Sequence, residues 1–156
     1  KKIALVTTVD YVSVGKLRTD GYIKALLDNG ISFDENLIIK IEDIDTCEIT
    51  IGKLLEDKAI DAVFAVNELF AVTIIKTANK IGLNVPKDLA VIAFTDGMIS
   101  KYSTPTITTV SQNGIKMGNK SAKMLIERLE SEENEEDENY KTEIIETHLI
   151  ERESTN

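Results

Sequence analysis

The segment DAVFAVNELFAVTIIKTANKIGLNVPKDLAVIAFTD, residues 61–96, decides the fold. Residues 61–66 form a short apolar run with β-branched and aromatic side chains, which reads as a strand. From Asn67 the spacing becomes helical, with Ala71, Ile74, Ala78 and Ile81 on one face. The helix stops at Gly82, and Pro86 stands four residues beyond it, where the chain has left helix. Residues 89–95 are a second strand, almost wholly apolar. Near-continuous apolar strands indicate burial on both faces. Joined by a helical crossover, they predict a parallel sheet with right-handed connections.

The same unit extends in both directions. Upstream, residues 3–8 read as a strand and residues 9–14 as a loop. A helix over 15–29 follows, with Leu17, Gly21 and Ala25 recurring every four residues, flanked by Tyr22 and Leu26, and Asn29-Gly30 as its stop. Residues 37–41 are a strand, and 46–58 a helix with Ile51, Leu54 and Leu55 inward. Downstream, residues 106–110 are a short β-branched strand, 113–130 a helix with Gly118, Ala122, Leu125 and Leu129 on one face, and 141–151 a final strand. Between the last two, residues 130–139 carry seven acidic side chains and almost nothing apolar, which predicts a solvated surface loop. The expected fold class is α/β, a three-layer parallel sheet.

Composition narrows the function classes. A net charge of −9 argues against a nucleic-acid surface on these residues, since phosphate binding needs clustered Lys and Arg. One Cys and one His exclude an internal disulfide framework and a dedicated zinc site, so no metal is expected. Cys47 reads as a small helix residue and His148 as a surface or packing residue. There is no Gly-rich phosphate loop after the first strand and no Gly-x-Ser-x-Gly elbow. Asp10, Asp43 and Asp96 stand at strand ends without the adjacent acidic pair of a phosphoacceptor site. No catalytic residue and no cofactor are therefore expected. No apolar run approaches the roughly 18 residues that cross a bilayer, and no signal peptide is visible. The expected location is the cytoplasm.

In an open parallel sheet, ligands meet the carboxyl ends of the strands. The groups there are Asp10 and Arg18 after the first strand, Glu42, Asp43 and Asp45 after the second, and Asn67 and Glu68 after the third. Thr95 and Asp96 follow the fourth and Gln112 the fifth. Donors and acceptors of both signs suit vicinal hydroxyls or another small polar ligand. Plainer roles exist for the same residues. Asn67-Glu68 suits a helix start, Arg18 a solvated helix position, and Asp96-Gly97 a turn.

These residues also carry a family resemblance. Residues 61–71, DAVFAVNELFA, resemble the "DAIFAANDxMA" segment of the lactose-repressor (LacI/GalR) family of bacterial transcription regulators. Residues 82–96 resemble its "GxxVPxDVSVIGFDD", residues 108–112 its "TTVxQ", Arg18-Thr-Asp-Gly21 its "RxxG", and residues 149–155 its "LVVREST" ending. Met117-Gly118 falls where the family has Met-Gly. The matches are collinear over nearly the whole chain.

The resemblance implies an N-terminal helix-turn-helix domain followed by a two-lobed effector domain similar to periplasmic sugar-binding proteins. On this mapping residues 1–110 are the C-terminal lobe, 111–142 a helix and acidic loop of the N-terminal lobe, and 143–156 a terminal strand returning to the C-terminal lobe. The DNA-binding domain and most of the N-terminal lobe lie outside these residues, so DNA would be a partner only through them. The helix over 113–130 is then expected to be displaced, packed on a neighbouring chain, or swapped. The implied effector, sugar-like or nucleoside-like, would meet Arg18, Asn67 and Gln112, with Asp10 and Asp96 nearby. Thr95 stands where the family often has a hydroxyl-binding Asp, and Ile44 near the place of a stacking aromatic; both weaken the case for an ordinary sugar. Tyr102 matches a segment that often lies in the family's homodimer interface. Two other readings are a periplasmic sugar-binding protein of a transporter and, more remotely, a small flavodoxin-like enzyme.

Overall fold

The computed structural model describes residues 1–9, 13–57, 59–130 and 140–156. The strand read at residues 3–8 is β1 (Ile3–Thr8). With β2 (Ile38–Ile41), β3 (Ala62–Ala65), β4 (Ala90–Phe94), β5 (Thr108–Ser111) and β6 (His148–Ile150) it forms one six-stranded sheet in the order β2-β1-β3-β4-β5-β6. All neighbours are parallel except β5 and β6, which run antiparallel. The helices are α1 (Ser13–Asp28), α2 (Cys47–Asp57), α3 (Glu68–Lys80), the short α4 (Met98–Tyr102) and α5 (Gly114–Glu130). The α/β class and its parallel sheet are as the sequence predicts. The final strand is shorter than the expected 141–151, because only residues 148–150 reach the edge of β5.

The two sheet faces differ. Ala4, Val6, Val63, Ala65, Val91 and Ala93 are fully buried on one face. There α3 presents Ala71, Ile74, Ile75 and Ala78, and α2 packs beside it with Ile51 and Leu54. Cys47 is buried at the start of α2. The other face carries Phe64, Ile92, Phe94 and Val110, which are in register across β3, β4 and β5 and only half-buried. Burial on both faces, expected from the apolar runs, therefore holds for β1 and the start of β5 but not for β3 and β4, where it alternates. Among the described helices only α1 lies on this second side. Its inner residues are Gly15, Tyr22 and Leu26. Leu17, Gly21 and Ala25, the expected inward stripe, are exposed instead. They wall a cavity of about 890 Å³ with Phe64, Ile92, Phe94 and Val110.

The helix over 113–130 is present as α5 and has no buried residue. Ile115, Leu125 and Leu129 are exposed, and polar contacts tie the helix and its start to the return segment. Lys120 pairs with Glu143 at 2.7 Å, Arg128 lies over the Tyr140 ring, and Asn113 Nδ2 donates to the Glu146 carbonyl. Its Met117 lines the cavity beside the second sheet face, while its other apolar side chains stay exposed. The acidic loop lies mostly outside the described residues.

The C-terminal segment is stitched into the sheet by hydrogen bonds that no local pattern announces. Ser154 is fully buried. Its Oγ donates to the Val91 carbonyl at 2.6 Å and accepts from the Thr108 N–H at 2.8 Å, while its own N–H and C=O bond Thr106 and Val91. Ser154→Ala orphans a buried carbonyl and a buried N–H. It is expected to lower the unfolding free energy by about 2–4 kcal/mol, from about 1–3 kcal/mol per unsatisfied group. Urea unfolding measures this, and an unchanged midpoint refutes the clip.

Candidate functional site

The strand order sets where a site can form. From β1 the chain goes outward to β2, then returns to place β3 on the other side of β1. At this reversal α1 and α2 leave on opposite faces, which opens a crevice at the carboxyl ends of β1 and β3. Arg18 stands there. Its Nη1 donates to the Val66 carbonyl at 2.9 Å, just past β3, and its guanidinium lies 4.2 Å over the Phe94 ring at the end of β4. The contacts fix the group by a directed hydrogen bond and a cation–π attraction. Burial lowers the Arg18 pKa from its ordinary value. Gly15, one turn earlier, makes the approach of α1 feasible, because a Cβ there would sit 2.8 Å from Thr8 Oγ1.

Gln112, beyond β5, lines the same cavity as Arg18 and Phe94. Asn67 does not. Its Oδ1 accepts from the Phe70 N–H at 2.8 Å and caps α3, so that side chain starts the helix as its residue type favours. Thr95 is half-buried after β4. Ile44 is exposed in a short 3-10 turn, Ile44–Thr46, beyond β2. Asp10 lies outside the described residues. The structure thus brings Arg18 and Gln112 together, and Phe94 joins them unforeseen by sequence reasoning.

Asp96 is committed elsewhere. Its Oδ1 accepts from Arg152 Nη2 at 2.6 Å and from Thr109 Oγ1, and Lys101 stands 3.4 Å from Oδ2. Arg152 Nη1 is held in turn by the Ile107 carbonyl. Burial opposes ionisation of Asp96, but the hydrogen bond and charge of Arg152, then Lys101, outweigh it and hold the carboxyl below its usual range. Arg152 had no local signal in the sequence, because its partner lies 56 residues away.

Glu68 has a similar structural task. Its Oε1 accepts the N–H of Gly97 at 2.8 Å and of Ser100 at 2.9 Å, which ties the first turn of α3 to the start of α4. Gly97 is required for that approach, since a Cβ would fall 2.8 Å from the Glu68 carboxyl carbon. The tie holds α4 with Met98, Ile99 and Tyr102 turned to solvent, Tyr102 at 77% exposure. Leu69 of α3 is exposed as well. His148 is exposed on β6, as expected of a surface residue. No cluster of His, Cys, Asp or Glu among the described residues could hold a metal ion. No helix of these residues is long and apolar enough to cross a membrane.

Comparison with known proteins agrees with this arrangement. The sequence profile of the periplasmic binding protein-like domain matches residues 1–155. The chain is 40% identical over 150 residues to the HTH-type transcriptional regulator MalR of Clostridium butyricum, covering 94% of this chain and 43% of the relative. It is 30% identical to the HTH-type transcriptional regulator CelR of Thermobifida fusca, covering 99% of this chain and 45% of that protein. A solved complex of the regulator CelR with cellobiose superposes with a TM-score of 0.86 at 30% identity, over 98% of this chain and 46% of the other. The chain thus spans less than half the length of these relatives. The resemblance to LacI-type regulators stands.

Two outcomes follow from the committed acids. Asp96 has a depressed folded pKa, so its stabilisation is present above the unfolded value and is lost as pH falls through the folded one. Stability is expected to decline below about pH 4, and more shallowly in Asp96→Asn; urea midpoints across a pH series that stay parallel would contradict the pairing. Gly97→Ala is expected to cost about 1–3 kcal/mol by forced overpacking against Glu68, read as a lower thermal midpoint.

Proposed function

Because the chain belongs to the periplasmic binding protein-like domain family, we propose that it is the effector-binding part of a LacI-type bacterial transcription regulator. The observation that carries this reading is Arg18 pinned across the β1–β3 reversal, on a sheet whose relatives are regulators. Residues 1–110 and 143–156 build one lobe, and 111–142 reach into the other, whose sheet lies outside this chain. The exposed, amphipathic α5 supports that division, since its apolar side chains have no core of their own here.

The effector is a small polar molecule, sugar-like by analogy with the relative solved with cellobiose. Arg18 and Gln112 meet it directly, while Asn67, Thr95 and Asp96 shape the rim from which it is approached. Binding regulates only through a difference: the effector must favour one arrangement of the two lobes over the other, or it shifts no population. That arrangement is passed on through a homodimer whose contact includes the α4 surface, with Tyr102 as its anchor; an exposed aromatic among apolar neighbours supports this role. DNA contact belongs to a part of the protein outside these residues, and no catalysis is assigned to this part. The protein works in the cytoplasm.

Differential scanning fluorimetry against cellobiose, maltose and other small sugars and nucleosides tests the effector reading. One ligand class is expected to raise the midpoint, and Arg18→Ala to abolish the rise; an undiminished rise removes Arg18 from the site. Sedimentation velocity tests the dimer. Tyr102→Glu is expected to shift the chain towards monomer, and an unchanged distribution removes α4 from the interface.

A further inference from the structure

We propose that the open apolar face beside α1 is a docking groove for one more helix of the same protein, supplied by the stretch that leads into β1 and lying outside these residues. This goes beyond the effector reading and does not depend on what Arg18 binds.

The groove has the dimensions of a helix. One side of α1 walls it from Val14 to Asn29, a length of about 22 Å at about 1.5 Å per residue. Half-buried side chains of β3, β4 and β5 form its floor. Three strands about 4.8 Å apart span about 10 Å, the diameter of one helix. The wall is shaped for close approach. Leu17, Gly21 and Ala25 form a ridge at four-residue spacing, Leu17 is 70% exposed, and a Cβ on Gly21 would meet no atom within 4 Å. The opposite face shows the completed arrangement, with α2 and α3 side by side over Val63, Ala65, Val91 and Ala93. The α1 face has one helix among the described residues where that face has two, and apolar sheet surface is stable under a second layer.

The described residues do not fill the groove. The helix α5 reaches it with Met117 alone, and the Lys120–Glu143 and Arg128–Tyr140 contacts hold α5 to the return segment. Residues 131–139, outside the description, have no apolar side chain to offer. Residues 10–12 reach at most about 10 Å fully extended. The two ends of the groove say where the missing helix enters. Arg18 and Gln112 stand at the end that carries the strand carboxyl termini, while Ile3, Asn29 and Ile31 stand at the other, where β1 starts. A helix whose last turn lies beside Ile3 enters β1 through a loop of about two to six residues. It then runs parallel to α1 and crosses no other connection. Regulators of this kind have chain to supply it, since these residues span 43% of one relative and 45% of another.

The test compares three proteins: the 156-residue chain, the same chain extended by the residues its gene encodes before Lys1, and the full-length product of that gene. An extension of about 30 residues is enough for the helix and its loop. Maleimide labelling of Ala25→Cys reads the groove, and Lys24→Cys, exposed on the same helix, is the control. Cys47 is buried and stays in place. Binding of an apolar dye to the unsubstituted proteins gives a second reading that needs no variant to fold. In the 156-residue chain both thiols are expected to label equally fast and the dye to bind. In the extended chain and the full-length protein, labelling at position 25 is expected to fall about tenfold or more, as for a site that reacts only on local opening. Labelling at position 24 stays unchanged, and dye binding is lost. Equal labelling in all three proteins overturns the proposal, as does a gene with no helix before Lys1. Protection already present in the 156-residue chain overturns it in favour of α5 if sedimentation shows a monomer, and of a second copy if it shows a dimer. Protection that appears only in the full-length protein assigns the face to the other lobe and overturns it too.

Discussion

The parallel ladder of β1, β3 and β4 is the constraint on which everything else rests. Its interior face is closed by small and β-branched residues, Ala4, Val6, Val63, Ala65, Val91 and Ala93, which let α3 approach with Ala71, Ile74 and Ala78. Parallel pairing sends every strand's carboxyl end to one edge, so the loops that follow must share it. The reversal of strand order between β1 and β3 then opens a crevice at that edge, and Arg18 spans it to Val66. A hydrogen bond between a helix after one strand and the carbonyl after another exists only because the ladder holds the two ends in register.

Around this edge two of the carboxylates serve the architecture. Asp96 holds Arg152 and, through it, the C-terminal segment; Glu68 holds the start of α4. Both carboxylates accept several hydrogen bonds in partly buried settings, where an unmade bond is expensive. Their commitment gives the rim its shape. Glu68 is also the neighbour of Asn67, so one turn of α3 borders the crevice and fastens the helix that carries Tyr102.

The two faces of the sheet show what packing requires and what sequence alone does not reveal. One face is complete. The other has half-buried Phe64, Ile92, Phe94 and Val110 beside α1, and the amphipathic helix α5 reaches its cavity with Met117 but buries no residue. Alternation of burial along β3 and β4 follows from this asymmetry. A fully apolar strand says that its residues tolerate burial; whether each face is covered depends on how many helices lie there.

Much of the fold was legible in the residues. The order of strands and helices, the bounds of β1, the stops at Asn29-Gly30 and Gly82, and the α/β class all follow from local periodicity and turn chemistry, because these act over a few neighbouring residues. The strand-end position of Arg18 followed from the same reading, as did the capping alternative for Asn67. Other features were decided by tertiary structure: the exposure of Leu17, Gly21 and Ala25, the short β6, the capture of Asp96 by Arg152, the clamp of Glu68 on Gly97, and the stacking of Arg18 on Phe94. Each depends on groups far apart in the chain meeting across the sheet, and periodicity carries no information about such meetings. The sequence determined which elements form and which edge carries the polar groups. Only the packed sheet decided which of those groups are consumed in holding it together and which line the open cavity.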